Sequence, residues 1–82
     1  CNRVVPAADL MQQTLAWARE LAAKSPLALR YAKQALNGAM ENSVAQTISD
    51  EARLQHLCVT SADAAEGIAA FIEKRTPRWR GC

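Results

Sequence analysis

Apolar positions recur at helical spacing along nearly the whole chain, and polar or proline-containing breaks divide them into four segments. From Ala7 to Lys24, Leu10, Met11, Leu15, Trp17, Ala18, Leu21 and Ala22 cover one broad face, with Gln12, Gln13, Arg19 and Glu20 outside it. This is the pattern of an amphipathic packing helix. Ser25-Pro26 then marks a new start: the serine hydroxyl caps, and proline at the first helical position gives up an N–H that the helix does not use. The second helix is predicted to run to Met40. Leu27, Ala28, Leu29, Tyr31, Ala32, Ala35, Leu36, Ala39 and Met40 wrap more than half of it and leave only Arg30, Lys33, Gln34 and Asn37 as a polar stripe. An arc that wide needs partners on two sides, so this helix is expected either at the centre of a bundle or against another body.

Asn42-Ser43 caps a third helix, Val44 to Val59, with Val44, Ile48, Ala52, Cys58 and Val59 on one side and Leu54 beside them. Glu51 and Gln55 interrupt that stripe and must be paired or wet. The fourth helix is capped by Ser61, begins at Ala62 and is expected to stop near Arg75, because Pro77 disfavours helical geometry at Thr76. Ala64, Ala65, Ile68, Ala69 and Ile72 share one face; Asp63, Glu66, Glu73 and Lys74 share the other. Phe71 falls on the border, in the i, i+4, i+7 line Gly67, Phe71, Lys74. A glycine inside a helix costs about 1 kcal/mol against alanine, so Gly67 implies a close approach, most simply a tight helix crossing.

Asn2 to Pro6, with two β-branched residues stopped by proline, reads as a short strand belonging to something larger. The fold class is therefore all-α, about four helices after a short N-terminal strand. At 82 residues the chain is one small domain at most. Half of it is hydrophobic, but much of that is alanine, and a chain this size buries only about 60 to 65% of its surface, so it stands to gain from a partner. The net charge of +2 gives no case for nucleic acid, although Lys74, Arg75, Arg78 and Arg80 crowd the end. Reading KRTPRWR as a nucleic-acid contact, with Trp79 stacking on a base, is weaker than reading it as charge complementing a helix terminus.

No apolar run is long enough for a membrane span and no signal-peptide pattern opens the chain, which makes the cytoplasm the default location. The three cysteines, Cys1, Cys58 and Cys82, lack the paired short spacing of a zinc site; no metal is expected, and Cys58 reads as an ordinary buried thiol. His56 sits on a polar face with Ser49 and Arg53, as a solvated histidine does. Asp50 and Glu51, adjacent on a helix, diverge by about 100° and cannot work as an acid–base pair. No glycine-rich phosphate loop, serine elbow or CxxC pair is present, so no catalytic residue is assigned.

The segments NRVVP, KSPLALRYAKQALN and TSADAAEGIAAFIEKRTPRWRG resemble, in order and spacing, the C-terminal part of the enoyl-CoA hydratase/isomerase (crotonase) family. The block from Ser61 to Pro77, S-x-D-x-x-E-G-x-x-A-F-x-E-K-R-x-P, is the most specific part, and the likeness covers practically the whole chain. It implies the C-terminal helical region of an α/β spiral fold whose N-terminal catalytic domain, with the oxyanion-hole N–H donors and the active glutamates, lies upstream of residues 2–6. That missing domain is the first expected partner. The resemblance further implies acyl-CoA as substrate, no separate cofactor, and a homotrimer or dimer of trimers built partly by these helices. Phe71 matches the position that lies against the adenine of CoA, and Lys74 the position that reaches its 3′-phosphate. The simplest activity implied is addition of water to a trans-2-enoyl-CoA. The alternative is a free-standing helical binding or assembly module whose basic tail is the contact surface.

Overall fold

A computed structural model describes residues 2–82, and Cys1 lies outside the described residues. The chain forms four α-helices: α1 (Leu10–Ala22), α2 (Pro26–Gly38), α3 (Val44–Val59) and α4 (Ala62–Glu73), with a 3-10 turn over Ala7–Asp9 ahead of α1. The serine caps work as their spacing requires. Ser25 Oγ accepts from the Ala28 N–H, Ser43 Oγ from Gln46 and Ser61 Oγ from Ala64, each satisfying a backbone donor that the first turn leaves free. Helices α1, α2 and α4 are shorter than their apolar patterns suggest, because the end turns tighten or reverse before the pattern runs out.

Residues 2–6 do not form the expected strand, and no strand occurs among the described residues. A strand exists only by pairing, and the regular elements among the described residues are all helical. The Arg3 guanidinium instead lies over the Trp17 ring, 4.8 Å from its centroid, and holds this segment against α1.

Helix α2 packs on α3, and α3 on α4, in a slab of 42 × 40 × 17 Å. The radius of gyration is 15.9 Å. A compact domain of this length measures about 12 Å. The accessible surface tells the same story: 6815 Å², where a folded monomer of this mass exposes about 4,800 Å². Leu27, Leu54 and Ala70 are the buried apolar side chains, while Leu36 and Met40, at 70% and 92% exposure, stand open along α2. The wide apolar arc of α2 thus packs chiefly on α3 and leaves Leu36 and Met40 on an uncovered side.

Candidate functional site

The functional geometry gathers around α4 and the tail that follows it. Helix α4 turns inward the line Asp63, Glu66, Gly67 and Ala70, not the apolar stripe, and Ile68 and Ile72 look outward. Asp63 is the clearest departure from the pattern. Grouped by sequence with the polar face, it is 2% exposed and anchors the tail. Its carboxylate accepts from the backbone N–H groups of Arg80 (2.7 Å) and Gly81 (3.1 Å) and from the Ser25 hydroxyl (3.1 Å). Its own backbone N–H, free in the first turn of α4, donates to the Cys82 carbonyl at 3.0 Å. One residue, through its carboxylate and its backbone N–H, therefore joins the start of α2, the start of α4 and residues 80–82.

Gly67 has a reason other than a helix crossing. A Cβ there would stand 3.2 Å from Trp79 Cη2 and 3.3 Å from Cζ3, so the indole lies directly on the backbone of α4. The Trp79 indole N–H reaches beyond α4 and donates to the Ala23 carbonyl at 2.8 Å, satisfying an acceptor at the end of α1. The tail is thus a strap across α4, its tryptophan committed to internal packing while Arg78 and Arg80 stay exposed.

Glu66 holds the other end of the strap. Arg75 forks onto it, Nη1 to Oε1 at 2.6 Å and Nη2 to Oε2 at 3.0 Å, and the Arg78 N–H adds 2.7 Å to Oε1. The Arg75 guanidinium, followed by the Arg78 N–H, draws the Glu66 carboxyl from 4.5 down to about 2. Glu66 in turn, with Glu73, raises Arg75 further above its ordinary value. Arg75 is therefore ion-paired rather than a bare complement to the helix terminus.

Between these anchors lies the predicted pair. Phe71 is 86% exposed near the end of α4. Lys74 caps the helix in the left-handed conformation, φ 53° and ψ 41°, and is the only non-glycine residue at positive φ among the described residues. The turn is a Schellman motif: the Lys74 N–H donates to the Phe71 carbonyl and the Arg75 N–H to the Ala70 carbonyl. Glycine takes that position without cost, whereas a side chain costs about 1 kcal/mol. Phe71 and Lys74 are thus brought to one exposed helix end, with Gly67 one turn back under Trp79.

Phe71 also borders an apolar groove of about 430 Å³ lined by Leu27, Cys58, Val59, Ala64, Ile68 and Trp79 among others. Cys58 is half-buried there rather than sealed in a core. His56, Glu51 and Gln55 are exposed. Among the described residues no cluster of three or more His, Cys, Asp or Glu side chains is arranged to hold a metal ion, and no helix is long and apolar enough to cross a membrane. The Asp63 and Trp79 anchors escaped sequence reading. An aspartate two places after a serine cap ordinarily marks a helix dipole, and nothing local shows that residues 80–82 return to it.

The chain belongs to the enoyl-CoA hydratase/isomerase family, whose sequence model matches residues 1–82. Among relatives, it is 44% identical over 78 residues to the probable enoyl-CoA hydratase echA8 of Mycobacterium tuberculosis, covering 95% of this chain and 30% of that protein. It is 38% identical over 78 residues to the 2,3-dehydroadipyl-CoA hydratase of Escherichia coli, covering 95% and 31%. Among solved structures, an enoyl-CoA hydratase from Polaromonas sp. JS666 superposes with a TM-score of 0.89 at 35% identity, over 96% of this chain and 31% of that one. An enoyl-CoA hydratase from M. tuberculosis H37Rv gives 0.90 at 28% identity, over 99% and 32%. The chain spans about 30% of the length of the curated relatives it matches.

Proposed function

We propose that this chain is the C-terminal helical region of a crotonase-family enzyme acting on acyl-CoA thioesters, the reaction being addition of water across a trans-2-enoyl-CoA double bond. In this reading Phe71 offers its open ring to the adenine of CoA and Lys74 sets a point charge against the 3′-phosphate. The groups that polarise the thioester carbonyl and move protons at the double bond belong to a preceding spiral domain. The outward apolar faces of α2 and α4 are covered by that domain and by neighbouring subunits of a trimer or dimer of trimers.

The observation that carries the proposal is the end of α4: an aromatic ring 86% exposed, three residues before a lysine held at φ 53°. A lysine where glycine would be unstrained is accounted for if its ammonium group is used. The free-standing module is disfavoured by the surface. Some 6815 Å² stays accessible, well above the about 4,800 Å² of an independent domain of this mass.

The test is Lys74→Ala in the whole enzyme that carries this region. Losing one charged contact remote from the reacting carbons should raise KM for the enoyl-CoA roughly tenfold, about 1.4 kcal/mol, with a smaller effect on kcat. With the dephospho-CoA thioester, which lacks the 3′-phosphate, the effect should largely vanish. An equal loss on both substrates removes Lys74 from this role.

A further inference from the structure

The geometry points to Glu66 as the positioning residue for Lys74, acting through the fork to Arg75; this rests on the reading of Lys74 given above. Lys74 is the pivot of the α4 C-terminus. Its N–H is fixed to the Ala70 and Phe71 carbonyls of the last helical turn. On its other side the chain doubles back, closed by the Arg75 N–H on the Ala70 carbonyl and braced by side chains: Arg75 Nε meets Glu73, Arg75 Nη1 and Nη2 land on Glu66 at 2.6 and 3.0 Å, and the Arg78 N–H adds 2.7 Å to Glu66, which alone ties the turn to the tail beyond it. In Schellman turns an apolar contact frequently adds to the backbone bonds. Here the residue after the pivot is arginine, and an ion pair replaces that contact.

The consequence for Lys74 is directional. Its Cβ position follows from φ, which is 53° here. Were the reversal released and the helix continued, φ would move to about −63°, swinging the side chain by roughly 115° about the N–Cα bond. The ammonium group would leave the direction that this backbone conformation gives it. Glu66 touches no ligand in this scheme; it sets the backbone conformation from which Lys74 reaches one.

The experiment is Glu66→Gln in the whole enzyme, alone and combined with Lys74→Ala. Glutamine keeps an oxygen for the Arg78 N–H and Arg75 Nη1 but loses the charge and sets its NH2 against Arg75 Nη2, donor to donor, which reduces the fork to one neutral bond. The expected result is a three- to fivefold rise in KM for the CoA thioester, kcat within twofold, no rise with the dephospho-CoA thioester, and a double variant no worse than Lys74→Ala alone. Arg75→Gln breaks the same fork from the opposite side and should reproduce this pattern. Effects that multiply in the double variant, or that appear equally with both thioesters, overturn the positioning role while leaving Lys74 itself in place. Loss of assembly in both Glu66→Gln and Arg75→Gln also overturns it, since the fork would then be holding the fold and not the lysine. If Lys74→Ala fails to distinguish the two thioesters, it is the underlying CoA reading that falls.

Discussion

Replacing Asp63 with alanine should release the C-terminal strap. The carboxylate is 2% exposed and accepts from the Arg80 N–H at 2.7 Å and the Gly81 N–H at 3.1 Å. A hydrogen bond to a charged acceptor contributes about 1.5 kcal/mol at the lower end of its range, so the two backbone donors together are worth about 3 kcal/mol. The Ser25 hydroxyl adds little to that loss. It can rotate to water while its oxygen continues to accept from the Ala28 N–H. A change of about 3 kcal/mol raises the population of the undocked tail roughly a hundredfold. Trypsin reads this directly, because Arg78-Trp79 and Arg80-Gly81 are cleavable only when the strap leaves α4. With reclosing faster than cleavage, the rate at both bonds follows the open population. Mass spectrometry of timed digests should therefore show roughly hundredfold faster cleavage at residues 78 and 80 in Asp63→Ala, about tenfold in Asp63→Asn, which keeps one acceptor oxygen, and unchanged helicity by circular dichroism. Cleavage of Asp63→Ala at the parental rate would refute the role given to this carboxylate.

Four further outcomes follow from the same geometry. Because the folded Glu66 carboxyl is held down from 4.5 to about 2, its contribution to tail docking is complete above pH 4.5 and is lost as pH falls through about 2; Trp79 fluorescence in a Trp17→Phe background should follow that window, and Glu66→Gln should flatten it. Gly67→Val places methyl groups where Cη2 and Cζ3 of Trp79 already stand 3.2 and 3.3 Å from a Cβ, so it should cost about 2 kcal/mol in denaturant unfolding and shift Trp79 emission to the red. Lys74→Gly relieves the left-handed backbone and should leave stability equal or up to about 1 kcal/mol higher by thermal unfolding while weakening CoA binding, a divergence that separates strain from use. Leu36→Asp, at a position 70% exposed on the open side of α2, should dissociate the assembled enzyme in sedimentation velocity, and unchanged sedimentation would show that this face is uncovered in the complete protein.

The helices were legible because each begins with a short-range device. Serine at 25, 43 and 61 bonds a backbone N–H three residues on, and that relation is written in adjacent letters. The candidate pair rests on the family resemblance rather than on spacing alone; what the residues themselves show is that Phe71 and Lys74 lie within one turn of each other. What stayed hidden depends on separation. Asp63 looks like any acidic residue in a first turn until Arg80 and Gly81 arrive from 17 and 18 residues away. Gly67 signals a close approach, but its neighbour, Trp79, comes from a tail that periodicity cannot place. The expected strand at residues 2–6 failed on the same principle: β-branched residues favour extension, but only a hydrogen-bonded neighbour makes a strand. The left-handed turn at Lys74 was also unreadable, because lysine carries no local signal for positive φ.

The contact between Trp79 and the Ala23 carbonyl joins residues 56 apart. The helices can each form within microseconds, and α2, α3 and α4 meet sequential neighbours, so their association closes short loops. The strap must instead close a loop of 56 residues, the longest spanned by a side-chain hydrogen bond among the described residues, and it gains its partners only after α1 and α4 are already in place. Docking of the tryptophan should therefore be a separate, late kinetic phase, visible as a fluorescence change after the far-ultraviolet helical signal is complete. Substitutions at Asp63 or Glu66 should then act chiefly on how fast the strap leaves and hardly on how fast the helices form.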